Sequence, residues 1–220
     1  MGTRLGRMGP AAGVLLALAA LAPRADAQVT FIDDFSVAQL PATTVTGSML
    51  FGQRALVGFP AGARIADGLL QVDFGSAAIR YGSTLAAAPA YDFIAVQSFS
   101  VRWNAPGGLP SLFLTAWSGS DARATLQLPP QAAAAGLQVL EIPAVQLWTA
   151  DVTAGFTPQA ITQLTLSMSD ASTTSGPLTI DAWWVTGTVA SVPEAPTMVL
   201  LMLGAAALGA RRLAARPRPF

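Results

Sequence analysis

Twelve arginines and twelve carboxylates carry all the ionic chemistry of this 220-residue chain, which has no His, Cys or Lys. That inventory removes a Ser-His-Asp triad, a thiol nucleophile, a disulfide framework and the His/Cys ligand sets of zinc and copper. Carboxylate chemistry remains. Glycosidic-bond hydrolysis needs two carboxyl groups about 5–10 Å apart across a cleft. The span Gln28–Ser191 holds ten carboxylates, with Glu141 its only glutamate. Asp33, Asp34 and Asp181 would form an oxygen-rich cluster suited to Ca²⁺ if the first and last strands were neighbours. The competing reading makes them turn and strand-end aspartates that accept local backbone N–H bonds. No D-x-D-x-D-G loop is present, and nothing else in the chain asks for a cofactor.

The tryptophans offer a different chemistry, flat apolar faces on which a sugar ring can stack. Trp183 and Trp184 are adjacent in a strand-like run, so they must point to opposite faces. Trp117 precedes the loop "SGSDA" and is the candidate glycan platform. Trp103 and Trp148 could offer such faces too, and for every tryptophan core packing is the competing reading. The arginines divide unevenly. Arg4, Arg7 and Arg24 lie near the start; Arg211, Arg212, Arg216 and Arg218 lie in the last ten residues; Gln28–Ser191 keeps five, a net charge of −5 against its ten carboxylates. An acidic body without lysine argues against a nucleic-acid partner, which needs clustered positive charge. The five body arginines read as solvated strand residues or as partners of the surplus carboxylates.

The elements that must position these residues are strands. Short apolar–polar runs separated by Gly, Pro, Asp and Ser recur from Gln28 to Gly187, and no stretch has a convincing helical period. About eleven strands are expected, near 28–36, 45–51, 54–59, 69–74, 77–81, 93–103, 111–117, 122–128, 137–142, 161–168 and 178–187. Alternation is clearest at Phe93, Ala95, Gln97, Phe99, Val101 and Trp103, with a second case at Ile161, Leu164, Leu166 and Met168 that shifts phase near Gln163. Asp67-Gly68 suits a tight hairpin turn. One helical turn is expected at 130–137, "PQAAAAGL". So many strands without intervening helices imply an all-β antiparallel sandwich, a jelly roll, over residues 28–190. "FIDDFS" opens it and "LTIDAWWV" closes it, so the first and last strands should lie together. Val189–Val192 reads as a linker.

The ends read as addresses. Arg4 and Arg7, the apolar run "AAGVLLALAALA" and the small residues Ala25 and Ala27 match a secretory signal peptide over 1–27, with cleavage before Gln28. The apolar run is about a dozen residues, short of the roughly 20 that a spanning helix needs. At the other end, 197–210 is apolar and uncharged. As a helix it covers about 21 Å of a hydrocarbon core about 30 Å thick. Basic residues follow at once, which suits a cytoplasmic end.

Val192-Pro193-Glu194-Ala195-Pro196, then this apolar helix, then the basic tail 211–220, resembles the PEP-CTERM sorting segment of Gram-negative bacteria. The resemblance covers 191–220, with Ala195 where the usual motif has proline. It implies an exosortase-type processing enzyme as partner and a membrane intermediate held by the C-terminal helix. The implied destination is the cell surface or extracellular matrix. The body's "DDF", "GLLQVDFG", "YDF" and "LTIDAWWV" are similar to galactose-binding-like jelly rolls found ahead of such tails, some of which bind carbohydrate. The resulting expectation is an exported, non-enzymatic sandwich with a structural, adhesive or polysaccharide-binding role. The alternatives are a secreted glycan-acting enzyme using Asp carboxylates and an uncut, membrane-anchored envelope protein.

Overall fold

A computed structural model describes residues 28–40, 43–47, 49–58, 63–72, 77–85, 88–133, 135–168 and 177–193. Ala25 and Ala27, expected at a signal-peptide cleavage site, lie outside them. So do Glu194, Ala195, Pro196, the apolar helix expected at 197–210, and Arg211, Arg212, Arg216 and Arg218.

The described chain is an antiparallel β-sandwich. Its strands are β1 (Val29–Asp33), β2 (Thr44–Thr46), β3 (Gln53–Val57), β4 (Arg64–Ala66), β5 (Leu69–Val72), β6 (Ala77–Gly82), β7 (Ala90–Asn104), β8 (Leu112–Ser118), β9 (Ala122–Leu128), β10 (Gln138–Pro143), β11 (Asp151–Val152), β12 (Gln163–Met168) and β13 (Leu178–Val192). One sheet runs β10-β7-β13-β5-β4, with β1 also paired to β13; the other runs β11-β9-β8-β12-β6-β3-β2. The strands alternate buried and exposed residues, and the buried sets face each other. Phe99, Val101, Ile180 and Trp183 meet Leu56, Ile79, Leu114 and Leu166 in one core. Burying each such side chain contributes about 1.5–3 kcal/mol. Trp183 and Tyr81 cross the gap between the sheets edge to face, with ring centroids 5.1 Å apart.

The first and last strands pair, as expected, with Phe31 opposite Trp184. The Asp67-Gly68 turn joins β4 to β5, and both residues have positive φ, 55° and 73°, as a type I′ hairpin requires. Three expectations are corrected. The described residues of 130–137 are irregular apart from a bridge between Gln131 and Leu109, and the α-helix among the described residues lies at α1 (Ala144–Thr149). There Ala144 and Leu147 face the core. Val189–Val192 is no linker: it continues β13, pairing Val192 with Ala90. The strict alternation from Phe93 to Trp103 also fails, because Ala95 and Gln97 are exposed while Val96 is buried. The cause is visible in the register. From Ser98 to Val96, and again from Ala95 to Asp92, β7 advances one residue more than its partner β13. Two one-residue bulges reverse the alternation twice, so Val96 and Phe93 turn inward while Ile94, Ala95 and Gln97 turn out. Gly187, at φ 119°, fits the first bulge; a Cβ there would lie 2.4 Å from the Ala95 carbonyl oxygen.

Candidate functional site

The outer face of the seven-stranded sheet is built from the residues that alternate with its core. Register places Thr125 (β9), Thr115 (β8), Thr165 (β12), Arg80 (β6) and Ala55 (β3) in one cross-strand row. Arg123, Trp117, Gln163 and Gly82 form the next row on the same strands. The threonines are half-buried, and their hydroxyls stand in reach of one another. Thr115 and Thr125 are 3.3 Å apart Oγ1 to Oγ1, and Gln163 Nε2 donates to Thr165 Oγ1 at 3.2 Å.

Two adjoining hollows of about 360 and 310 Å³ open on this face, sharing Gln53, Gly82, Ser83 and Leu85. Arg80 and Gln163 line one of them, and Phe51 the other. Backbone geometry makes the shared wall. Gly82 ends β6 at φ 82°, and a Cβ there would lie 2.2 Å from the Thr162 carbonyl oxygen. The same carbonyl accepts from Ser83 N–H at 3.1 Å, which turns the chain up from the sheet; Leu85 then stands 74% exposed above it. Among the described residues no carboxylate lines either hollow.

Trp117 flanks the cleft as the cross-strand neighbour of Gln163. Its backbone carbonyl accepts from Thr162 N–H at 2.8 Å. The following turn is held by Gly119 N–H on Thr162 Oγ1 at 3.1 Å and by Ser118 Oγ on the Thr157 carbonyl at 2.6 Å. The ring is half-buried and lies under the Arg123 guanidinium, 5.5 Å from centroid to Cζ. A pinned strand thus presents a partly open indole beside a floor of hydroxyl, amide and guanidinium groups. Hydroxyl-rich ligands need such a surface: an apolar face for the ring and directional donors and acceptors around it.

No family model matches the chain, and no curated protein matches it in sequence. Among solved structures it is similar to an agarase, AgWH50C, at 10% identity, covering 73% of this chain and 24% of that one with a TM-score of 0.48. It is also similar to the family 11 carbohydrate-binding module of the cellulosomal cellulase Lic26A-Cel5E of Clostridium thermocellum, at 12% identity, 74% and 97% coverage and a TM-score of 0.42. A family 29 carbohydrate-binding module follows at 7% identity, 72% and 89% coverage and a TM-score of 0.36. The chain spans about a quarter of the agarase's length.

The three aspartates considered for Ca²⁺ are placed apart. Asp33 is buried between the sheets. It pairs with the fully buried Arg54, accepts from Tyr81 Oη at 2.7 Å, and caps Phe35 N–H at 2.8 Å. Each remaining nitrogen of Arg54 is also bonded: its Nε donates to Gln39 Oε1 at 2.7 Å and its Nη2 to the Val37 carbonyl, and its Cζ lies 5.6 Å from the Phe35 ring centroid. Asp34 is exposed, and hydrogen bonds from Ser36, hydroxyl first and then backbone N–H, hold its carboxyl below the usual carboxylate range. Asp181 lies on the outer face of the other sheet, taking Arg102 Nε at 2.7 and 2.8 Å, a bond that raises the guanidinium pKa further. Among the described residues no three His, Cys, Asp or Glu side chains gather closely enough to hold a metal ion.

The other tryptophans divide as their strands dictate. Trp183 is fully buried, while Trp184, on the opposite face, tilts against Phe31 at 6.3 Å. Trp148 packs from α1 onto Phe99 at 5.7 Å. Glu141 is exposed on β10, on the outer face of the six-stranded sheet opposite Ser100. Arg80, Arg123 and Gln163 were not distinguishable in the sequence. Alternation does send Arg80 outward between Ile79 and Tyr81, but only the register shows what stands beside it.

Gln28 is the first described residue, and its carbonyl accepts from Gly187 N–H at 2.8 Å. The ladder continues at the other end to Val192, followed by exposed Pro193. Among the described residues no helix is long and apolar enough to cross a membrane.

Proposed function

We propose that this chain is an exported polysaccharide-binding protein whose ligand lies across the outer face of the seven-stranded sheet. The observation that carries the reading is the cleft itself: Thr44, Thr84, Gln53, Gln163 and Arg80 line it, and the half-buried Trp117 neighbours Gln163 on the adjoining strand. A binding role is favoured over hydrolysis because glycosidic cleavage needs paired carboxylates at the site, and the described lining has none. Export and PEP-CTERM sorting belong to the same proposal. They are supported by the pattern of the two ends: a basic, apolar and small-residue stretch over 1–27, and Val192–Pro196 followed by an apolar run and four arginines.

Affinity electrophoresis of the purified protein through gels containing soluble polysaccharides tests the binding reading. Retardation is expected, and Trp117→Ala should lose it while keeping the wild-type thermal transition. Equal mobility of both proteins in every polysaccharide sinks the reading. Intact-mass measurement on protein from native cells tests the address segments. Loss of residues 1–27 and of the chain beyond about Pro193 is the expected result. A chain starting at Gln28 and ending at Phe220 would instead mark an uncut anchor.

A further inference from the structure

The five arginines between Gln28 and Ser191 are not equivalent, and their placement points to a ligand class. Arg54 and Arg102 are neutralised by Asp33 and Asp181. Arg64 donates to Gln71 Oε1 at 3.1 Å on the outer face of the six-stranded sheet. Arg80 and Arg123 make no ion pair among the described residues, and both are exposed on the outer face of the seven-stranded sheet. They sit on β6 and β9, the outer two of four neighbouring strands, β6, β12, β8 and β9, with Arg80 one row from Arg123. Strand spacing of about 4.8 Å and residue rise of about 3.4 Å put their Cα atoms about 16 Å apart. Trp117 and Gln163 lie between them. Among the described residues the acidic groups near this face are at its margin: Asp151 on edge strand β11, and Asp121 in the β8–β9 turn, where it accepts from Ser120 Oγ at 2.8 Å.

Resting on the polysaccharide reading, we infer that the cleft selects an acidic chain, one carrying carboxylate or sulfate groups on successive sugars. A body with net charge −5 repels a polyanion at long range, so binding one requires its free cations to be gathered where the chain lies. Among the described residues three arginines lack a carboxylate partner; Arg80 and Arg123 share this face, and Arg64 lies on the other sheet. A guanidinium offers a planar fork of donors that matches carboxylate or sulfate oxygens, and an uncharged glycan would leave this feature unused. The spacing serves a chain rather than a single sugar, with one anionic group at each arginine and a ring face on the indole between them.

The test uses sodium polygalacturonate as the acidic probe and a neutral β-glucan of similar length as the control, in affinity electrophoresis at low and high salt. The acidic polymer should retard the protein, and the neutral one much less. Arg80→Gln should weaken retention about tenfold, and Arg80→Gln with Arg123→Gln about a hundredfold, the range for hydrogen bonds to charged groups. Arg64→Gln removes the same charge from the opposite face and should change nothing. Raising NaCl from about 50 to about 500 mM should release the unmodified protein, since these exposed charges are screened. This readout needs no variant. Equal retention of both polymers, unaffected by salt or arginine but lost in Trp117→Ala, overturns the acidic class and leaves the glycan reading standing. Retention of neither polymer defeats both. Retention of polygalacturonate that survives Arg80→Gln with Arg123→Gln overturns the assignment to this face.

Discussion

Strands β3 and β6 each carry two polar sites, one on either side of the sheet. Arg54 and Tyr81 point inward to Asp33; Gln53 and Arg80, each one residue earlier, point outward to the cleft. The chemistry is similar and the setting is opposite. Inside, a guanidinium is withdrawn from water, and each of its three nitrogens has an acceptor, because an uncompensated buried charge costs several kcal/mol. Outside, Arg80 has no protein partner to satisfy and water serves it. The inner cluster is therefore closed to ligands and acts between layers, tying β1 and its following loop to the opposite sheet. The outer site is open because folding does not need its donors. The difference teaches that a polar residue's role in this sandwich is set by the parity of its position, not by its type.

The comparison is broken most severely from the inside. Asp33→Ala strands the Arg54 guanidinium and the Tyr81 hydroxyl, and should cost about 3–5 kcal/mol. In a chain of this size that lowers the thermal midpoint by on the order of 10 °C. Replacing both partners, Asp33→Leu with Arg54→Met, should recover much of the loss, because no buried charge is left behind. Urea denaturation measures both. A midpoint for Asp33→Ala within about 1 kcal/mol of wild type would remove the cluster from the account of stability.

Gly82→Ala comes next and touches both sides, since Gly82 ends the strand that carries Arg80 and Tyr81. A positive φ and a Cβ forced to 2.2 Å from the Thr162 carbonyl should together cost about 1–3 kcal/mol. The same change moves Ser83 off β12 and opens the cleft wall, so polysaccharide retention should fall with stability. Unchanged retention in a destabilised protein would show that the ligand does not use that wall. Trp117→Ala sharpens the contrast from the outside. Retention should drop tenfold or more, as for a central aromatic contact, while stability moves by less than about 1 kcal/mol because the ring is already half in water. The reverse result would assign Trp117 to packing.

How much of this was legible in the sequence follows from what each feature depends on. The sandwich was readable because alternation and turn residues are local: Asp67-Gly68 forms its hairpin, and Ile161, Leu164, Leu166 and Met168 point inward. The β13–β1 pairing was anticipated from the two end motifs. Alternation misled from Phe93 to Gln97, since a bulge inserts a residue that only the partner strand reveals. The helix α1 escaped because six residues are too few to set up a period. Trp117 was singled out from the loop that follows it, and the structure shows it half-buried. Asp33 was noticed but read as a strand-end residue or metal ligand, because its true partners, Arg54 and Tyr81, are 21 and 48 residues away. Arg80 and Arg123 gained meaning only from register, which places them on one face with Trp117 between.

The mildest perturbation of the inner cluster is Tyr81→Phe, which keeps the Asp33–Arg54 pair and deletes one hydroxyl. At neutral pH the lost bond to a carboxylate should cost about 1.5–3 kcal/mol. The larger interest is alkaline. Burial, with the Asp33 charge and hydrogen bond adding to it, raises the Tyr81 pKa well above its usual value, so the folded protein keeps this proton after the unfolded chain, titrating near 10, has released it. The sign follows from linkage. Below about pH 10 both states hold the proton, and the full advantage of wild type over Tyr81→Phe is present. As pH rises beyond that, the folded state binds one more proton than the unfolded state, and wild-type stability should fall by about 1.4 kcal/mol per pH unit relative to the variant. Urea unfolding at about pH 9 and about pH 11 should therefore show the gap between the two proteins narrowing. Parallel curves would mean that Tyr81 ionises as easily inside the sandwich as outside it, which a fully buried phenol beside a carboxylate cannot do. Arg80, the preceding residue on the same strand, faces the other way, so retention of polygalacturonate at neutral pH should be the same in both proteins.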